Sequence, residues 1–201
     1  LVSSKRLTGA LYSFVIGTIG SVTLSWVGFF NEPLLYIIGN ISGFLLLASI
    51  FELYRTYMRL EKPAFLMQLF LLLCMIKTIF MFLGSFPWIA EVVLPNREFV
   101  ISYLHFTFLG VVGFGVLYFL QKSLHIRFPH WSISLYSTAF VGSEGLITYK
   151  GLAILYELFL PDNYYILLVL FSALFFVAVS YWCYLIFKKV HNQPCEEAHQ
   201  S

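Results

Sequence analysis

Residues 132–160 read SISLYSTAFVGSEGLITYKGLAILYELFL, and the fold depends on whether this stretch crosses a membrane. It is mostly apolar, yet Glu144, Lys150 and Glu157 fall inside it. A charged residue at the centre of a membrane helix costs about 2.5–3.5 kcal/mol on insertion scales, so the stretch taken alone argues both ways. Its surroundings decide. If it fails to cross, Lys188 and Lys189 move to the opposite side from the other basic loops. If it crosses, nine of the ten Lys and Arg residues outside the apolar stretches share one side, and Arg97 alone faces the other. Lys5, Arg6, Arg55, Arg59, Lys62, Lys122, Arg127, Lys188 and Lys189 make up the nine. Cytoplasmic loops carry the excess of Lys and Arg, so the stretch is expected to cross, turned inward to the protein rather than to lipid.

Working outward, five further apolar stretches lie at about 7–30, 34–54, 64–85, 99–121 and 164–187, each near the ~20 residues that a hydrocarbon core requires. The expectation is an all-α polytopic membrane helix bundle with six transmembrane helices and cytoplasmic N and C termini. Composition agrees: 60% of residues are hydrophobic and 11% charged, against roughly a quarter charged in soluble domains. The net charge of +2 arises at the basic edge and reports orientation in the bilayer, not nucleic-acid binding. Residues 1–190 are read as a single six-helix domain and 191–201 as a polar cytoplasmic tail. A chain opening on Leu1 instead of Met is expected to be a fragment or a processed product, so that a missing N-terminal segment or a partner subunit would complete it.

Outside connections at Asn31-Glu32-Pro33 and Pro161-Asp162-Asn163 predict tight helical hairpins, because Pro is common just beyond helix ends. Trp88, in the longer outside loop, and Trp26, Trp131 and Trp182, near span ends, are expected as interfacial anchors. Gly9, Ser13, Gly17, Ser21 and Ser25 recur at four-residue spacing in the first span. Small residues on one face let a neighbouring backbone approach within lipid, so these five are expected to form a packing seam. Gly110, Gly113 and Gly115 suggest close packing or local flexibility in the fourth span. Cys74 and Cys183 behave as small apolar residues, and the cysteines set out no disulfide framework.

Ionisable residues inside spans are functional candidates because they are costly to keep there. Lys77, His105, Glu144, Lys150 and Glu157 are the candidates here. With cytoplasmic termini, Lys77, His105 and Lys150 all fall in the outer half of the membrane, at depths within several ångströms by the rise of ~1.5 Å per residue, and can form one buried polar centre. Lys150 and Glu157, seven residues apart, share a helical face, while Glu144 points about 120° away. Lys77 can pair with Glu144 or Glu157. Glu144 suits proton carriage, since burial raises a carboxyl pKa towards neutrality. His105 suits proton transfer or metal binding, with a hydrogen-bonded packing residue as the plain alternative. The tail pattern His191-x-x-x-Cys195-x-x-x-His199 is interrupted by Pro194 and reads as a frayed end. His125 and His130 read as a solvated basic connection. No Gly-rich phosphate loop, no Ser/His/Asp pattern and no Cys-x-x-Cys motif occurs, which argues against a nucleotide-driven motor or a familiar hydrolase.

One stretch carries a resemblance. Lys77 in an apolar span is followed by Phe86-Pro87, Asn96-Arg97 and then VISYLHFTFLG at 100–110. This resembles a group of uncharacterised bacterial, Bacteroidetes-type membrane proteins that are distantly like haem–copper oxidase subunit I and the NnrS family. The resemblance covers about 35 residues. It implies an oxidase-like, haem- or metal-associated protein of the bacterial cytoplasmic membrane with His105 as ligand or near neighbour of the metal. The chain departs from the oxidase pattern because His105 is its one intramembrane histidine, so further haem or metal ligands would come from outside this segment. Two other readings stand beside it: a proton-coupled small-solute transporter using Glu144 with Lys77 and Lys150, and a membrane scaffold or assembly factor whose charges fix helix pairing. The lipid bilayer is the partner common to all three.

Overall fold

The computed structural model describes residues 4–27, 33–59 and 64–191, which are mostly helical with no strand among them. The helices are α1 (Ser4–Val27), α2 (Pro33–Met58), α3 (Phe65–Gly84), α4 (Pro87–Val93), α5 (Arg97–His105), a π-helical segment (Phe106–Val112), α6 (Gly113–Ser123), α7 (His130–Leu155) and α8 (Tyr164–His191). Among the described residues, four helices are long and apolar enough to cross a membrane: Pro33–Met58, Phe65–Gly84, the continuous Arg97–Ser123 and Tyr164–Lys189. Of the two other expected spans, α1 supplies a shorter apolar stretch, Thr8–Val22. Helix α7 has 26 residues, enough length at ~1.5 Å each, but its serines and charges keep it outside that apolar set. The Asn31-Glu32 turn, Lys62, Cys195 and His199 lie outside the described residues.

The chain divides into two compact units, Leu1–Gly115 and Val116–Ser201. In the first, consecutive spans run antiparallel. A Cβ added at Gly17 of α1 would lie 2.8 Å from Leu46 Cγ and 3.0 Å from the Ser42 carbonyl of α2, whereas one at Gly20 would press on Ser42 and approach Ile38. Contacts thus move down α2 as they move up α1. The α2–α3 pair repeats the pattern: Gly43 meets the backbone of Phe82, and Asn40 Nδ2 donates to the carbonyl of Ser85 at 3.0 Å. Phe80 stacks edge-on against Phe106 at 5.7 Å, and Gly115 receives the ring of Phe70, so the fourth span returns along α3.

The ends of these helices have local causes. Pro87 occupies the first turn of α4, where its missing N–H costs nothing. Asn96 caps α5 by accepting from the Glu98 amide at 3.1 Å, and Glu98 in the first turn complements the helix dipole. In the second unit, α7 and α8 form an antiparallel hairpin around Trp182, Tyr136, Phe175 and Phe128. Trp182, expected at the interface, is buried, and its Nε1 donates to Ser132 Oγ at 2.9 Å. Trp88 and Trp131 are exposed.

Helix α7 stops at Leu155, short of the residue 160 that the sequence suggests. Glu157 takes a left-handed backbone with φ 53°, and the Leu158 amide donates back to the Ala153 carbonyl at 2.9 Å. This is the six-to-one closure of a Schellman cap, with Glu at the position usually held by Gly. His125, φ 51°, adopts the same region just after α6.

Candidate functional site

In the first unit the candidate chemistry gathers where α3 meets the fourth span. Lys77 is half-buried on α3. Its Nζ donates to Met81 Sδ at 3.2 Å and lies 6.0 Å from the ring centre of Tyr103 on α5. In the α3 register Lys77 falls opposite about residue 108, since Phe80 meets Phe106 and Phe70 meets Gly115. Reaching Tyr103 therefore takes the ammonium about one turn towards the C-terminal end of α3, along the side chain's own apolar stem. Among the described residues of this unit no carboxylate pairs with it.

His105 is the last residue of α5 and immediately precedes the π-helical segment. The wider turn of a π-helix breaks the regular ladder, and such interruptions occur frequently at functional sites. One polar atom at this junction, His105 Nδ1, is buried without a hydrogen-bond partner among the described residues, while the Thr107 hydroxyl, also buried, lies in reach of the Tyr103 hydroxyl. Satisfying a buried donor or acceptor is the rule in folded chains, so an unpaired His105 nitrogen next to a helix irregularity stands out as a candidate ligand-facing group. Lys77 lies against Tyr103, which shares a helix face with Thr107 four residues on, whereas His105, two residues from Tyr103, lies on another face.

The other three candidates belong to the second unit. Glu144 is half-buried on α7, with Oε2 fully enclosed. Lys150 lies further along α7, its Nζ 5.8 Å from the ring of Tyr164 and 5.9 Å from that of Tyr165 at the start of α8, distances at which a cation is attracted to a ring face. Tyr149 next to it donates its hydroxyl to the Phe159 carbonyl at 2.6 Å. Lys150 thus sits among the ties of the α7–α8 turn. Glu157 is exposed and outside the helix. The shared helical face expected for Lys150 and Glu157 does not form, because the left-handed cap breaks the periodicity between them.

Of the expected small-residue seam, Gly17 is buried against α2, Ser13 and Ser21 are half-buried, and Gly9 is exposed with nothing within 4 Å of an added Cβ. The backbone of Ser25 is helical, and its side chain lies outside the described residues. The seam itself runs through Ala10, Gly17 and Gly20. A strict four-residue repeat drifts about 40° per step on a helix of 3.6 residues per turn, whereas seven residues drift only about 20°.

Two polar residues of α2 escaped sequence reasoning. Asn40 donates to both the Tyr36 and Ser85 carbonyls at 3.0 Å, tying α2 to the end of α3. Glu52 lines a groove of about 260 Å³ with Ala10, Ser13, Ala48 and Ser49. Each carried a visible signal, a polar side chain inside an apolar run.

A haem or metal site, as the oxidase-like resemblance implies, requires a donor set. Among the described residues no group of three or more His, Cys, Asp or Glu side chains could hold a metal ion. His105 offers one nitrogen donor and leaves the remaining ligands to be supplied from elsewhere. No family model, curated protein or solved structure matches the chain.

Proposed function

We propose that this is an integral protein of the bacterial cytoplasmic membrane, crossing it six times with both termini in the cytoplasm, and that it works as a proton-coupled transporter of a small solute. The observation that carries this reading is the π-helical break directly after His105, with His105 Nδ1 buried and unsatisfied beside it. Irregular backbone at membrane depth is tolerated where it lines a cavity or is buried in protein, and interrupted helices supply substrate sites in transporters. Lys77, whose contacts are a thioether and a ring face, favours an anionic solute. Glu144, an acid inside a span of the second unit, is the proposed proton carrier.

Reconstituted full-length chain in vesicles loaded with a pH-sensitive dye tests this, with acetate, nitrate and phosphate as probes. One of these anions should move protons inward above the protein-free background. His105→Ala should stop that flux, and Glu144→Gln should leave anion uptake without proton movement. Lys77→Met should lose uptake while unfolding no earlier than the parent, because it removes a costly intramembrane charge and keeps the stem. The absence of any anion-dependent proton flux would sink the proposal.

A second reading rests on the same unpaired nitrogen. His105 Nδ1 is free to ligate, as one axial position of a haem or one site of a metal completed by another chain. Haem absorbance or bound metal in protein purified from its own membrane, lost in His105→Ala, supports it. A colourless, metal-free preparation counts against it.

A further inference from the structure

The groove between α1 and α2 has a composition of its own. Glu52 supplies the one carboxylate among its lining residues, Ser13 and Ser49 supply hydroxyls, and Ala10 and Ala48 form small apolar walls. Ser49 is 2% exposed and already donates its proton to the Leu45 carbonyl at 2.6 Å. Its remaining capacity is therefore to accept. Ser13 can also accept, and Glu52 accepts as a carboxylate. The groove thus offers three oxygen-bearing side chains and no cationic one.

A primary ammonium matches this set, because it carries three N–H donors and no acceptor. A metal cation would want more oxygens at short range. The groove volume of about 260 Å³ exceeds a single water's share of about 30 Å³ several-fold, room for an aminoethyl group. Its position selects the source. Glu52 lies six residues before Met58 at the end of α2, about 9 Å along the axis, which is close to the headgroup boundary for a membrane helix. Arg55, three residues on, continues the same helical face and is exposed. Cation and anion sites one turn apart fit a headgroup that carries an ammonium and a phosphate together.

We propose that the Glu52–Ser13–Ser49 groove binds a primary ammonium, that of an ethanolamine lipid headgroup, with Arg55 against its phosphate. This site is separate from the proposed transport site and does not depend on it. Its chemistry predicts discrimination against choline lipid, whose quaternary nitrogen has no N–H to donate.

The test is native mass spectrometry of the full chain released from nanodiscs that contain either phosphatidylethanolamine or phosphatidylcholine in a phosphatidylglycerol background. Ethanolamine lipid should be retained over choline lipid by about tenfold, as expected for one charge-assisted hydrogen bond. Glu52→Gln should erase that preference, and Glu91→Gln, an exposed acid on α4, should keep it. Ser49→Ala should weaken it, which keeps the proposal open to refutation where Glu52→Gln does not fold. Displacement of the lipid by free ethanolamine would support the ammonium site and assign it to soluble amines. Equal retention of the two lipids, or a preference untouched by Glu52→Gln, overturns the proposal.

Discussion

Ser132 shows how much one hydroxyl can hold in an apolar pair of helices. It is fully buried; its Oγ donates to the Pro129 carbonyl at 2.9 Å and accepts from Trp182 Nε1 at 2.9 Å. The first bond closes the opening turn of α7, and the second joins α7 to α8. Ser132→Ala leaves the buried indole N–H unsatisfied, which costs about 1–3 kcal/mol. The mutant should therefore unfold earlier in denaturant titrations of detergent-solubilised protein. Ser172→Ala on α8, whose hydroxyl bonds its own helix at the Leu168 carbonyl on an exposed face, should stay within about 0.5 kcal/mol of the parent. Equal effects would mean that the Trp182 bond contributes nothing. At this scale the sequence was partly legible. Glu144, Lys77 and His105 announced themselves as charges or titratable groups in apolar runs, but Trp182 did not announce its burial. Proximity to a span end says how deep a side chain sits and nothing about which way it faces.

Element packing here turns on which glycines meet a neighbour. Gly142 and Gly145 lie three residues apart on α7. A Cβ at Gly142 would collide with the ring of Phe171 on α8, whereas one at Gly145 has nothing within 4 Å. Alanine at either site brings the same gain in helix propensity, about 1 kcal/mol. Any difference between Gly142→Ala and Gly145→Ala therefore isolates the α7–α8 contact. Gly145→Ala should be neutral or stabilising. Gly142→Ala should be destabilised relative to it by about 1–3 kcal/mol, the range for overpacking, in the same unfolding measurement. A pair of mutants with matching stabilities would show that Phe171 swings aside freely. The same physics explains the α1 seam. Small residues are visible in the sequence, but a four-residue comb includes Gly9, which two steps of about 40° drift from Gly17 turn outward. The Schellman cap at Glu157 was illegible for a different reason. Glu rarely holds a left-handed backbone, so nothing in its identity marks the end of α7, and hydropathy alone carries the expected helix on to residue 160.

At the scale of the molecule, helical class and several apolar spans followed directly from composition, since long uncharged runs have no other fold in lipid. The number of crossings did not follow as simply, because α7 carries Glu144 and Lys150 and falls outside the four strongly apolar helices. Two structural facts bear on it. Helices α7 and α8 run antiparallel, so whichever way one crosses, the other returns. In the first unit, α1 through the fourth span alternate in direction, which puts Arg55 and Arg59 at the end where α1 begins and Arg97 at the other. If α7 crosses, Lys188 and Lys189 join the first group, and the basic residues keep to one side. Single cysteines placed at Arg59, Trp88, Arg127, Asp162 and Lys189, in a background lacking Cys74, Cys183 and Cys195, test this with a membrane-impermeant thiol reagent on intact cells. Trp88 and Asp162 positions should label from outside, and the other three only after permeabilisation. Labelling of the Lys189 position from outside would mean that residues 132–160 do not cross, and the six-span topology would fall with it. Adding lysines beside Asp162 supplies the opposing pressure. If the α7–α8 hairpin is held across the bilayer by charge asymmetry, those lysines should reduce outside labelling at 162, whereas a hairpin fixed by Trp182, Tyr136 and Phe171 packing should resist them.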